Sequence, residues 1–193
     1  AGSVAAAPVT ADFRAEIDLP DIPSSGPRVF EALGEAVSGG PDLDLSNEVS
    51  NPNGFSGHVE MDLDASGLVT LTGRQPSGFA DYDLGIFTIS NIAFDAGESV
   101  TGIVAVGDQN LLDPFFGLGQ VAPTLSFTSD SISILFDTTG SGDVADFEFA
   151  DGGVSQFQIL TSELPQVPVP AALPMLLSAL GGLAFVSRRR KKS

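Results

Sequence analysis

His58 is the only histidine in the chain, and no cysteine accompanies it. Imidazole is the side chain whose ordinary pKa lies nearest neutrality, so general-base or serine-triad chemistry would have to run through His58. No Gly-x-Ser-x-Gly elbow is present to supply a nucleophile. A lone histidine beside a strand is expected to be a surface residue. With 25 acidic residues to choose from, paired carboxylates for glycoside hydrolysis are available almost anywhere, and no one pair is informative. Oxygen-rich loops offer sharper chemistry. Asp62-x-Asp64-x-Ser66-Gly67 opens like a calcium loop, which makes Asp62, Asp64 and Ser66 candidate Ca2+ ligands. The twelfth position, where an EF-hand places its bidentate glutamate, is Gly73, so a hairpin turn is the preferred reading. The stretches Asp137 to Asp143 and Asp42-Leu43-Asp44 are weaker candidates of the same kind.

The missing cysteines also remove thiolate metal sites and disulfide frameworks. Glycine-rich stretches lack the lysine of a phosphate loop. No catalytic constellation emerges, so the chain is not expected to be an enzyme, and Ca2+ is the one cofactor left open. Charge narrows the partners further. Five of the 8 basic residues, Arg188, Arg189, Arg190, Lys191 and Lys192, fall in the last six positions. Before them, only Arg14, Arg28 and Arg74 stand against all 25 acids, and lysine is absent. Such a surface excludes nucleic acid, whose phosphates are bound by lysine and arginine. The 42% apolar content and 14 phenylalanines favour a packed core over disorder. At 193 residues the chain fits one domain and a tail.

The elements that must position these residues follow from hydrophobic period. Thr10 to Asp18 is a polar-interrupted run expected to form an edge strand, closed by Pro20, Pro23 and Pro27. Between Arg28 and Val37, the spacing of Val29, Leu33, Ala36 and Val37, with Gly39-Gly40 beyond, predicts a short helix with a strand as the close alternative. Pro41 to Gly54 is expected to be loop. Val59, Met61 and Leu63 then alternate with acids, and Asp64-Ala65-Ser66-Gly67 turns the chain into Leu68 to Thr72, the clearest hairpin present. Further strands are expected at 86–94, 99–106, 124–128, 131–137, 143–149 and 154–160. Phe147, Phe149, Phe157 and Ile159 should face the core. Many short strands at this spacing predict an all-β fold, an antiparallel β-sandwich of jelly-roll-like type.

Composition breaks at Pro165. A proline-alternating motif is followed by an apolar stretch without charge and then by the basic cluster. The apolar stretch, 16 residues from Ala171 to Val186, would span about 24 Å as a helix, marginal for a hydrocarbon core of roughly 30 Å. Its basic end is expected on the cytoplasmic side, placing the preceding domain across the membrane. Pro174 and Gly181-Gly182 weaken the helix, which suits transient passage better than permanent anchoring. The opening Ala-Gly-Ser-Val-Ala-Ala-Ala is expected to flank a removed export signal. The expected division is therefore a signal flank (1–9), an acidic ectodomain (10–163), a Pro-rich linker with motif (164–171), a single transmembrane helix (172–187) and a basic cytoplasmic tail (188–193).

Val167-Pro168-Val169-Pro170-Ala171, with the apolar stretch and the arginine-rich end, resembles the VPLPA variant of the PEP-CTERM sorting signals of Gram-negative bacteria. Val169 stands where leucine is usual in that pattern. The resemblance implies export through the general secretion system. It also implies recognition by an exosortase, a membrane transpeptidase that cuts near the proline motif and carries the catalytic residues itself. An inner-membrane-anchored precursor, later released to the cell surface or beyond, is the expected course. For the exported domain the expectation is a surface or matrix protein, with extracellular polysaccharide as a candidate partner. A Ca2+-dependent carbohydrate-binding or adhesion module and a secreted polysaccharide hydrolase are the alternatives.

Overall fold

The computed structural model describes residues 7–18, 26–52, 54, 56–75, 82–95, 97–114, 121–139 and 147–162. The chain divides into two units, Ala1–Glu163 and Leu164–Ser193, and the second lies wholly outside the described residues. The sorting motif Val167 to Ala171, the span 172–187 and the basic cluster Arg188 to Lys192 therefore lie outside them too. Among the described residues no helix is long and apolar enough to cross a membrane.

The first unit is all-β and antiparallel. Its strands are β1 (Pro8–Asp18), β2 (Arg28–Ala36), β3 (Glu48–Ser50), β4 (His58–Leu63), β5 (Leu68–Arg74) and β6 (Leu84–Phe94). They continue with β7 (Ser99–Gln109), β8 (Leu112–Pro114), β9 (Thr124–Phe127), β10 (Ile132–Asp137), β11 (Phe147–Phe149) and β12 (Val154–Ser162). One six-stranded sheet runs β3-β2-β1-β6-β10-β9, a four-stranded sheet runs β4-β5-β12-β7, and β8 pairs with β11.

Alternation explains the strands. In β1, Ala11, Phe13, Ala15 and Ile17 are buried, while Arg14 on the opposite face bonds to Glu16 and to Glu31 of β2. β1 is an interior strand with neighbours on both sides, not the expected edge. Its charges mark a solvated face, and a solvated face occurs in the middle of a sheet as readily as at its rim.

The helix expected from Arg28 to Val37 is instead β2. Arg28, Phe30 and Ala32 form its buried row, and Leu33 is 70% exposed. Gly34 takes a left-handed φ of 65° beside a register shift against β1, and this irregularity mimics a three-to-four spacing. The expected loop from Pro41 to Gly54 contains one turn of 3-10 helix, Leu45–Asn47, and β3.

Side chains from both large sheets meet in one buried cluster. Within it Tyr82, Phe87, Phe136, Phe147 and Phe149 form a group of neighbouring rings, with Tyr82 and Phe149 rings 5.2 Å apart and Phe147 and Phe149 rings 5.9 Å apart. Phe147, Phe149, Phe157 and Ile159 face this core, as their parity predicts.

Candidate functional site

The candidate calcium loop is the β4–β5 hairpin turn. Asp64 Oδ1 accepts from Ser66 N at 2.7 Å, Ser66 Oγ at 2.6 Å and Leu68 N at 3.0 Å. Gly67 supplies the left-handed residue at φ 76°, and Asp64 N donates to Leu68 O at 3.0 Å. This is a three-residue loop closed by a left-handed glycine. Burial pushes the Asp64 carboxyl up, but the Ser66 hydroxyl and the amides of Leu68 and Ser66 outweigh it and hold it below its ordinary value. Asp64 and Ser66 are thus committed to the turn. Asp62 lies on the outer face of β4, its carboxyl pushed up by burial and then by Asp64. Asp137 does for Thr139 what Asp64 does for Ser66, accepting from Thr139 N at 3.0 Å and Thr139 Oγ1 at 2.7 Å. Among the described residues no group of three or more His, Asp or Glu side chains could hold a metal ion.

His58 is not the surface residue expected. It opens β4 with 7% of its surface exposed, its ring centroid 6.1 Å from that of Phe30. Burial, then the Arg28 guanidinium, hold its imidazole below the ordinary value and keep it neutral.

The feature that sequence reasoning missed is Arg28. Only 2% exposed, it sits over the Phe30 ring with its guanidinium carbon 4.8 Å from the centroid. One terminal nitrogen donates to Gly57 O, and the other meets Glu48 Oε2 at 2.7 Å. Tyr82 Oη donates to the same Gly57 carbonyl at 3.2 Å, and burial raises the Tyr82 phenol to about 12. The cluster ties β2 and β3 of the six-stranded sheet to the start of β4 in the other. Its one detectable signal in the sequence is scarcity, because Arg28 is one of three cations before the tail.

Every arginine among the described residues is ion-paired: Arg14 with Glu16 and Glu31, Arg28 with Glu48, and Arg74 with Glu60 at 2.7 Å. A mostly apolar cavity of about 290 Å³ lies between β7 and β10, walled by Ala105, Leu112 and Phe136. None of its described lining residues is titratable. Gln109 on its wall already donates to Val106 O at 2.9 Å and Gln156 O at 2.7 Å. Comparison with models of known families, with curated proteins and with solved structures finds no match to this chain.

Proposed function

We propose that this chain is an exported cell-surface or extracellular-matrix protein, delivered and processed through its C-terminal sorting signal. The observation that carries the reading is the three-part tail: Val167-Pro168-Val169-Pro170-Ala171, the uncharged apolar stretch, and Arg188 to Lys192. Prolines at 168 and 170 favour extended backbone in their neighbours, the form in which a protease takes its substrate. The basic cluster holds the far end of the helix on the cytoplasmic side. In this reading the partners are an exosortase-type membrane transpeptidase, the membrane through residues 172–187, and extracellular polysaccharide around the released domain.

The working product is then the acidic domain, a jelly-roll-like sandwich of the six- and four-stranded sheets. Its shared aromatic core and internally paired arginines fit a domain that stays folded on its own and presents carboxylates outward. Replacing Pro168 and Pro170 with alanine in an exosortase-containing Gram-negative host tests the reading. The expected result is full-length chain accumulating in the inner membrane with none at the surface. Unchanged release of the variant would contradict processing at the motif.

A further inference from the structure

β4 is an edge of the four-stranded sheet, and an unpaired edge invites wrong pairing. The chain covers it with its own backbone. Met61 N donates to Leu43 O at 2.9 Å, and Leu43 N and Asp42 N both reach Met61 O, at 3.1 and 2.8 Å. The next outward amide, Leu63 N, takes the Asp42 carboxylate instead, with Oδ2 at 2.8 Å. The Ser38 amide donates to the same carboxylate, and Val37 N ties the start of the segment to Val9 O at 3.0 Å. Leu43 is fully buried and Asp42 is 8% exposed. Residues 38–44 thus form a strap whose clasp is one carboxylate.

Among the described residues the charged groups that bear on the clasp are acidic. Asp62 bears on Asp42 from β4 and Glu35 from β2. On the strap itself Asp44 is turned to Ser46, accepting from its amide at 2.7 Å. Asp62 Oδ1 is buried without a partner. The three described arginines are bound to glutamates elsewhere. An ionised Asp42 therefore sits out of water among like charges, compensated among the described residues by the Leu63 and Ser38 amides.

We propose that residues 38–44 are a pH-sensitive closure of the β4 edge, held shut in acid by a protonated Asp42 and loosened as the pH rises toward neutrality. Burial first, then Asp62 and Glu35, push the Asp42 carboxyl up to about 6 against the Leu63 and Ser38 amides. A carboxyl raised in this way binds its proton more tightly closed than open. Closure is therefore favoured at low pH, and the advantage is lost as pH climbs through about 6. Release would bare the backbone of Met61 and Leu63.

Hydrogen exchange of the full chain in detergent micelles with EDTA present, corrected for intrinsic rates, tests this at peptides covering residues 58–64. Protection should rise about ten-fold between pH 7.5 and pH 5, and Asp42→Asn should abolish that rise. A flat wild-type profile, or an undiminished rise in Asp42→Asn, would overturn the proposal. Should the variant not fold, carbon-13 titration of Asp42 in the wild-type chain decides. A midpoint near 6 supports the closure, and one in the ordinary carboxylate range near 4 overturns it.

Discussion

The guanidinium of Arg28 meets the Glu48 carboxylate at 2.7 Å with 2% of the arginine side chain exposed, against 27% of the glutamate. The pair is unequal, and so are the consequences of breaking it. Glu48→Ala leaves a buried cation without a counter-charge among the described residues, held by Gly57 O, the Tyr82 hydroxyl and the Phe30 face, a loss of about 3 kcal/mol. Arg28→Met keeps an apolar chain against Phe30 and lets Glu48 turn to water, so it should cost about 1 kcal/mol. Urea unfolding of both variants measures the order, and the reverse order would contradict the description of Arg28 as the desolvated partner.

His58 should set an acid limb of stability. Its imidazole is held below its ordinary value by burial and Arg28, so the unfolded chain takes up the proton first. Stability from this group is complete above the unfolded value of about 6.5 and is lost as pH falls through the lower folded value. Asp42 works in the opposite direction, so the two are separated by difference. The melting temperature of His58→Gln minus that of wild type should grow from pH 7 to pH 5. A constant difference would mean that the imidazole is solvated.

Asp64→Ala removes three hydrogen bonds from the hairpin turn and should cost about 1–2 kcal/mol. Because Asp64 and Ser66 are committed to the turn, millimolar Ca2+ should leave the melting temperature of the wild-type chain unchanged. A rise of several degrees would return Asp62, Asp64 and Ser66 to the role of cation ligands.

Gly73 occupies the position at which an EF-hand would need glutamate, and its backbone explains the choice. A Cβ there would stand 2.3 Å from Ala150 O, a backbone atom held by its neighbours through Gly73 N to Gly153 O and Gly152 N to Gly73 O. Gly73→Ala should cost about 2 kcal/mol in thermal or urea unfolding. Gly39→Ala, where nothing lies within 4 Å, is the control expected within about 0.5 kcal/mol of wild type.

Period-two alternation made the β4–β5 hairpin, β6, β10 and β12 legible, because their buried residues are mostly apolar and regularly spaced. β7 and β9 were bounded by turn residues instead, since β9 buries no residue and the buried row of β7 is irregular. β2 was not legible, since its buried row begins with Arg28, a residue that any pattern counts as polar, and is broken by the left-handed Gly34. β3 and β8 are three residues long and carry too few positions to show a period. The placement of β1 inside its sheet is a matter of pairing, which alternation does not encode. At the sites, the turn role of Asp64 was readable from local spacing. Burial of His58 and the raised Asp42 were not, because desolvation comes from β2, β4 and the strap converging from distant parts of the chain.

The most direct test of the account is the C-terminus of the surface-exposed protein in an exosortase-containing host, read by intact-mass and peptide mass spectrometry. The expected end lies between Val167 and Ala171, with the apolar stretch and the basic cluster gone. A mature surface protein still ending at Ser193 would contradict it.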